Sequence, residues 1–320
     1  MSEMGYIPPY TITDKTVNLI SAITEIITKI TINDQMSNNT RLRRDSRIRM
    51  IHASLAIENN SLSLNQVTDI IKGRRMLGAP DEICEVKNAF ATYEILLHMN
   101  PYYKKDMLKA HGVLMRDLTR ESGIFRDSGV GVFADQNLVH MAPPAERVPQ
   151  LISELLAWLK RTEAHPLVKS CVFHYEFEFI HPFADGNGRM GRMWQTLLLY
   201  NWNSVFGWLP IETLIRERQG DYYRVLGECD ELADSGKFIE FLLQAILDSL
   251  KEIAITEQVL KLLECIGDEA FSTRELMERL GLKHRPTFRN NYLLPALEAG
   301  HVEMTIPDKP NSNKQKYRKS

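Results

Sequence analysis

The residues of this 320-residue chain best suited to chemistry lie in one stretch, His181 to Arg192, which reads HPFADGNGRMGR. The Gly186-Asn187-Gly188 segment can point successive backbone N–H groups at an anion, because glycine accepts positive φ. A helix that begins there would add its N-terminal field. Arg189 and Arg192, three positions apart, would project from one face of that helix. The pattern predicts a site for a triphosphate.

Two more side chains in the stretch extend this prediction. Asp185 is a hard oxygen ligand of the kind that Mg²⁺ prefers. His181 titrates near neutrality and can take a proton from a hydroxyl group. A plain helix start after a glycine-rich turn, with two solvated arginines, would account for a lone Gly-Asn-Gly. It does not account for the base, the carboxylate and both arginines together.

The stretch resembles the signature of Fic proteins, His-x-Phe-x-(Asp/Glu)-Gly-Asn-Gly-Arg-x-x-Arg, and meets every fixed position. The resemblance covers Ile48 to Leu250 and implies an all-α, Fic-type helical core. It also implies a protein adenylyltransferase that moves AMP from ATP to a Ser, Thr or Tyr hydroxyl of a target protein or of itself. In relatives, the same core also removes AMP or transfers phosphate or phosphocholine, and these reactions are the alternatives within the class.

The resemblance assigns roles within the stretch. His181 becomes the catalytic base, Asp185 holds Mg²⁺, and Phe183 faces the core. The residues expected to bind the ATP phosphates, through backbone N–H groups or through the arginines, are Gly186, Asn187, Gly188, Arg189, Gly191 and Arg192. Arg192 is expected to orient the γ-phosphate.

A second motif lies ahead of this core, in Ser54-Leu55-Ala56-Ile57-Glu58-Asn59. Alone it reads as the end of a helix. It is similar to the family's inhibitory motif, (Ser/Thr)-x-x-x-Glu-(Gly/Asn), at all three fixed positions: Ser54, Glu58 and Asn59. The resemblance implies that Glu58 pairs with Arg192 and competes with the γ-phosphate for the guanidinium. The enzyme would then be autoinhibited.

Two further regions acquire meaning from the resemblance. Val130 to Met141 has a β-like pattern with a turn at 134–137, which by itself indicates a surface hairpin. In the family this hairpin, the flap, borders the nucleotide and aligns the target protein by strand addition. Leu138, Val139, His140 and Met141 hold the corresponding positions. Tyr222, Tyr223 and Asp230 hold positions that line the base pocket, although a tyrosine pair more often packs in a core.

Helical spacing of apolar residues predicts the elements that position these residues. Helices are expected from Thr13 or Asp14, at Arg41–Ile57, at Leu64–Ile71, from Asp81 and at Asp106–Leu118, then at Ala145–Arg161, Leu167–Ile180, Met190–Trp202, after Pro210, at Arg218–Ala233 and at Phe238–Ile253. Residues 1–10 are expected to form an extended arm and 33–39 a loop. His111 is predicted to be packed or hydrogen-bonded and not catalytic.

The chain changes character from Thr256. A helix through Val259 and Ile266, a capping box at Ser272 and Glu275, a helix from Arg285 to Ala299 and two short strands predict a winged-helix-like domain. Its basic residues suit DNA binding through 255–320, while protein docking and a structural role are the other readings. The domains are therefore predicted as 1–100 (N-terminal helical, inhibitory), 101–252 (catalytic core) and 253–320 (winged-helix-like).

Composition sets the remaining bounds. The net charge is −2, with 44% hydrophobic and 25% charged residues, so no global charge draws the chain to nucleic acid or to a membrane. The four cysteines lack metal-site spacing, and no apolar run approaches the roughly 20 residues of a membrane helix. We expect a soluble cytoplasmic protein without a membrane partner. A homodimer and a non-enzymatic role as an ATP-sensing, DNA-binding regulator stay open.

Overall fold

The computed structural model describes residues 6–33, 40–134, 137–267, 269–298, 300–310 and 312–320. The chain divides into two compact units, Met1–Ser249 and Leu250–Ser320. The domain limits predicted at 100 and 252 stay predictions. The expectations for residues 1–5, 34–39 and the turn residues 135–136 lie outside the described residues.

The described chain is mostly helical, which confirms the all-α class. The first unit contains α1 (Asp14–Asn33), α2 (Thr40–Ile57), α3 (Leu64–Ile71), α4 (Pro80–Leu96), α5 (Lys104–Leu114), β1 (Gly131–Ala134), β2 (Asn137–Met141), α6 (Val148–Arg161), α7 (Pro166–Ile180), α8 (Asn187–Trp202), α9 (Ile211–Glu217), α10 (Gln219–Leu232) and the start of α11 (Gly236–Ile266). Short 3₁₀ turns occupy Ala145–Arg147 and Ser204–Gly207.

Local capping explains the sharpest helix boundaries. Thr13 Oγ1 accepts a hydrogen bond of 3.2 Å from the Thr16 amide at the start of α1. Helix α3 opens with a reciprocal capping box between Ser63 and Gln66, and Gly73, at φ 75°, follows its end. Each cap contributes about 1 kcal/mol, because it satisfies amides that have no partner inside the helix.

The core of the first unit is built around the packed helices α7 and α8. Helix α7 is buried along most of its length, with Phe173 and Phe177 fully enclosed. Trp194 and Leu197 of α8 are also fully buried. Because both helices are enclosed, the loop that joins them, residues 181–186, is held at both ends by packed elements.

The hairpin β1–β2 is antiparallel and pairs Gly131 with Met141 and Ala134 with Asn137. Its register shifts between Val132 and Phe133. Two strands alone leave backbone edges unpaired, which is the geometry that strand addition uses.

One boundary prediction is wrong. The apolar pattern predicts a helix at Phe238–Ile253 and a separate helix through Val259 and Ile266, but the structure has a single helix of 31 residues, Gly236–Ile266. The segment between Lys237 and Ile266 contains neither glycine nor proline, so nothing in the backbone ends the helix there.

The second unit continues with α12 (Thr273–Arg279), α13 (Arg285–Phe288), a π-helical turn (Arg289–Leu293), α14 (Leu294–Glu298), β3 (Val302–Met304) and β4 (Tyr317–Lys319). The predicted capping box of Ser272 and Glu275 is present. The helix predicted at Arg285–Ala299 is found as α13, the π turn and α14, with residue 299 outside the described residues. Leu262, Leu276, Phe288 and Ala296 are fully buried in a core of its own. The winged-helix assignment stays a prediction.

Across the ranges that the structure describes, no helix combines the length and the apolarity that a membrane crossing requires.

Candidate active site

His181 lies at the point where α7 ends and the loop begins. Its backbone is left-handed, at φ 49°, and its amide donates to Phe177 O at 2.9 Å. Gly186 is left-handed as well, at φ 82°, directly before α8. A Cβ on Gly186 would approach Met115 Sδ to 2.7 Å, so both conformation and space require glycine.

The loop is closed by its own side chains. Asn187 Oδ1 accepts from the Phe183 amide at 2.9 Å, and Asn187 Nδ2 donates to Phe183 O at 2.8 Å. Phe183 is fully buried, as predicted, and stacks on His111 with ring centroids 3.7 Å apart. The Asn187 side chain therefore fixes the loop through both backbone groups of Phe183.

His111 supports the loop from α5. Its Nδ1 accepts from the Gly123 amide at 2.9 Å, so its Nε2 carries the proton and donates to Asp185 O at 3.0 Å. Burial lowers the pKa of His111 to about 4, which keeps the ring neutral. The prediction of a packed, hydrogen-bonded histidine is confirmed.

Arg189 is held by two carboxylates. Its Nη1 contacts Glu85 Oε1 at 2.9 Å, and its Nη2 contacts Asp185 Oδ1 at 3.2 Å. The Arg189 side chain is 4% exposed, whereas that of Asp185 is 65% exposed. Asp185 is thus open to an approaching cation. Arg189 orients the Asp185 carboxylate, and both of its Nη atoms already contact carboxylates of this chain.

Arg192 meets α2. Its Nη2 donates to Glu58 Oε1 at 2.7 Å and to Ser54 O at 3.0 Å, and its Nε donates to Ser54 Oγ at 3.0 Å. Burial alone would lower the pKa of Arg192, but the Glu58 carboxylate, together with Tyr222 and Glu178, raises the pKa above its usual value. The contact expected between Glu58 and Arg192 is therefore present, and its inhibitory role stays a prediction.

Glu58 also contacts the glycine loop. A methyl group placed on Gly188 would overlap Glu58 Oε1, so the carboxylate sits directly against the first turn of α8. Asn59 follows at φ 67°, a left-handed conformation that asparagine tolerates better than most residues, and it ends α2 there. An anionic oxygen thus already occupies the helix start at which a phosphate would bind.

Arg126 is a site residue that the sequence analysis missed. It is buried, and its guanidinium donates to backbone carbonyls of His181 (2.7 Å), Ser128 (2.8 Å), Pro143 (2.5 Å) and Ile180 (3.3 Å). Ser128 and Pro143 flank the hairpin, so one side chain ties both ends of the flap to the end of α7. Its acceptors are backbone carbonyl oxygens, which every residue has, so no sequence motif identifies them.

The flap can be followed only in part. Leu138, Val139 and His140 belong to β2 by their backbone, and their side chains lie outside the described residues. Met141 is 65% exposed. The nucleotide contacts expected here stay predictions.

Two nucleotide contacts are corrected. Tyr222 is 2% exposed and its hydroxyl lies 3.1 Å from His174 Nε2, so it belongs to the core. A Cβ on Gly191 would approach Glu178 Oε1 to 2.6 Å, so Gly191 spaces α8 from α7 and does not face the loop. In both cases the orientation of the helix about its own axis turns the residue towards the core.

The other two residues expected at the base pocket lie nearer the surface or in a hydrogen bond. Tyr223 is half-buried, and Asp230 accepts a hydrogen bond from Tyr175 Oη at 2.6 Å.

This fold and site define a class: a helical protein with a glycine-containing loop between two core helices and a carboxylate packed against the start of the second helix. Residues 101–199 match the model of the Fic/DOC family, and residues 257–320 match that of the Filamentation induced by cAMP protein Fic-like, C-terminal domain. The crystal structure of a Fic family protein from Desulfovibrio desulfuricans G20 is 55% identical, covers 98% of each chain and superposes with a TM-score of 0.77. The chain belongs to the Fic family, and the predicted Fic-type core is confirmed.

Curated relatives carry the name of an activity. "Protein adenylyltransferase Fic" of Aedes aegypti is 30% identical over 203 residues, which are 59% of this chain and 39% of that protein. A "Probable protein adenylyltransferase" of Aquifex aeolicus (strain VF5) is 29% identical over 167 residues, 46% of this chain and 49% of that protein. The chain thus spans less than half the length of these relatives.

Proposed function

We propose that the chain is a protein adenylyltransferase that transfers AMP from ATP to a Ser, Thr or Tyr hydroxyl of a target protein and of itself. The observation that carries this proposal is the carboxylate at the glycine loop: Glu58 is paired with the buried Arg192 and lies beside Gly188, at the start of α8. A carboxylate there mimics a phosphate oxygen. The names of the curated relatives support the same reaction.

In this mechanism His181 takes the proton of the incoming hydroxyl, whose oxygen attacks the α-phosphorus. The new O–P bond forms as the bond to the β-phosphate breaks, and pyrophosphate leaves with that electron pair. The backbone N–H groups of Asn187 and Gly188, at the start of α8, stabilise the developing charge, an arrangement worth a few kcal/mol in other enzymes. Arg192 orients the γ-phosphate after Glu58 has moved away.

Asp185 fits a magnesium site, because its exposed carboxylate is a hard ligand and Mg²⁺ commonly binds nucleotides through one or two carboxylates and the phosphates. Bound Mg²⁺ would neutralise charge on the α- and β-phosphates. Arg189 and the Gly186 amide, which donates to Asp185 Oδ1 at 2.5 Å, keep the carboxylate oriented.

The target segment would pair with an edge of the flap. Arg126 holds this hairpin against the backbone of His181, so a strand added to the flap would lie at a fixed distance from the base. We further propose a cytoplasmic location, supported by four cysteines that are all free.

The test uses Glu58→Gly protein with ATP labelled at the α- or the γ-phosphate. We expect self-modification from the α-label alone, with a mass gain of one AMP, and its loss when His181→Ala is added. Transfer of the γ-label, or an unaltered mass, would refute adenylyl transfer. Wild-type protein that removes AMP from the modified product would instead establish the hydrolytic alternative, in which Glu58 positions water.

The DNA-binding alternative rests on exposed basic residues of the second unit, among them Lys283, Arg285 and Arg289. It requires salt-dependent binding of the whole chain to duplex DNA.

A further inference from the structure

Glu85 of α4 is a charged residue of the site to which the adenylyl-transfer mechanism gives no role. Its Oε1 accepts a hydrogen bond from Arg189 Nη1 at 2.9 Å, while Arg189 Nη2 donates to Asp185 Oδ1 at 3.2 Å. The side chains of Arg189 and Glu85 are 4% and 20% exposed, whereas that of Asp185 is 65% exposed. One buried guanidinium is therefore shared between a largely enclosed carboxylate and an open one.

A second contact fixes Glu85 in this position. Its Oε2 accepts a hydrogen bond from Asn60 Nδ2 at 2.8 Å, and Asn60 Oδ1 accepts one from the Leu62 amide at 3.1 Å. Asn60 is only 8% exposed. Each carboxylate oxygen of Glu85 thus has its own donor, and hydrogen bonds to a carboxylate are stronger than those between neutral groups. The carboxylate cannot turn away from Arg189 without losing one of them.

Arg189 and a cation bound by Asp185 would oppose each other. Arg189 donates to the carboxylate that suits Mg²⁺, so the two cations would compete for its oxygens and repel each other at short range. Of the two ion pairs that the described structure gives Arg189, only the pair with Asp185 would remain without Glu85. Asp185 would then balance a buried cation by itself, and less of its charge would be available to the metal.

We propose that Glu85 is a positioning residue of the magnesium site, because it balances the charge of Arg189 and thereby keeps the Asp185 carboxylate available to Mg²⁺. This role rests on the proposed function, since the metal concerned is the one that accompanies ATP. Loss of the Glu85 charge weakens binding of the magnesium–nucleotide complex. It does not weaken binding of the metal-free nucleotide, whose phosphates are anionic.

The experiment measures the binding of α,β-methylene-ATP to the full-length chain by calorimetry, once with excess Mg²⁺ and once with EDTA. The methylene bridge prevents AMP transfer, and a Glu58→Gly background frees Arg192 from its carboxylate partner. The ratio of the Kd in EDTA to the Kd in Mg²⁺ is the factor by which the metal strengthens binding. Damage to the fold would raise both Kd values, whereas a weakened metal site lowers the ratio.

Three variants are compared in that background. Glu85→Gln keeps the size of the side chain and an acceptor oxygen but removes the charge, and Glu85→Asp keeps the charge. Glu82→Gln is the matched control, because it removes the same charge from another residue of α4. Glu82 Oε1 accepts a hydrogen bond from the Ser61 amide at 2.5 Å and therefore takes part in a different contact.

We expect the ratio to fall about 10-fold in Glu85→Gln, the smallest effect typical of outer-shell partners of metal ligands, since Glu85 acts through Arg189. The Kd in EDTA should stay within about 2-fold or become smaller, because the site has lost a negative charge. Glu85→Asp should keep the ratio within about 3-fold, because the charge-assisted pair can still form. Glu82→Gln should keep it within about 2-fold, because solvent screens that carboxylate.

Three results would overturn this role of Glu85. An unaltered ratio in Glu85→Gln would show that its charge has no effect on the metal. An equal rise of the Kd in both media would show that Glu85 supports the fold alone. An equal fall of the ratio in Glu82→Gln would indicate general electrostatics.

The calorimetric result is separable from the test of AMP transfer. Transfer of the α-label together with an unaltered ratio would overturn the role of Glu85 alone. The expected ratios without any transfer would overturn adenylyl transfer alone. Absence of binding in both media would overturn both proposals.

Discussion

Removing the Glu58 carboxylate is the perturbation whose effect the structure defines best. In Glu58→Gly the contact of 2.7 Å to Arg192 Nη2 is lost. Ser54 still accepts from Arg192 through Oγ and O, each at 3.0 Å, so the guanidinium keeps its orientation. The variant should therefore free the position expected for the γ-phosphate without moving the Arg192 guanidinium that is expected to bind this phosphate.

The size of the effect follows from burial. The Arg192 side chain is 1% exposed and that of Glu58 is 30% exposed. A hydrogen bond to a charged group contributes about 1.5–3 kcal/mol net, and partial exposure of Glu58 favours the lower part of this range. Because each 1.36 kcal/mol is a factor of ten, we expect kcat/KM for ATP to rise about 10- to 40-fold.

The assay measures AMP incorporation from α-labelled ATP at sub-saturating concentrations. Glu58→Gln keeps an acceptor oxygen but no charge, so it should give a smaller gain, about 3- to 10-fold. Glu85→Gln is the matched control, because it removes a carboxylate that contacts Arg189 at 2.9 Å in the same site. A gain below threefold in Glu58→Gly, or an equal gain in Glu85→Gln, would refute the competition between carboxylate and phosphate.

Three other predictions concern the frame of the site. Arg126→Lys should lower kcat for AMP transfer about 10-fold, while the ATP affinity measured by calorimetry changes less than about 2-fold. Lysine cannot form the forked guanidinium hydrogen bonds that position His181 and the flap. Gly191→Ala should lower the free energy of unfolding in urea by at most about 1 kcal/mol, because the helix propensity of alanine, about 1 kcal/mol above that of glycine, offsets part of the cost of displacing the Glu178 carboxylate. Burial raises the pKa of Glu176 from 4.5 to about 7, so the folded state holds a proton that the unfolded chain has released. Stability should therefore fall by roughly 3 kcal/mol as the pH rises from about 4.5 to about 7, and Glu176→Gln should remove that part of the slope.

The parts of the structure that depend on neighbouring residues were predictable from the sequence. Helix α3 was bounded correctly at Leu64 and Ile71, because a capping box and a glycine mark its ends within a few positions. The same holds for the loop after His181, whose turn is specified by Gly186 and Asn187 themselves.

The parts that depend on how helices face each other were not predictable. Gly191 lies within the site stretch and Tyr222 in a helix expected to line the base pocket, yet the orientations of α8 and α10 turn both residues towards α7. Arg126 bonds to carbonyl oxygens more than 50 positions away, and every residue has such an oxygen.

The contacts with Arg192 come from the last turn of α2 and the residue that follows the helix, because Ser54 and Glu58 are four residues apart and face the same side of the chain. One residue inserted between them would rotate Glu58 by about 100° relative to Ser54. Chain length between the two positions thus specifies the contact with Arg192 as strictly as their identities do.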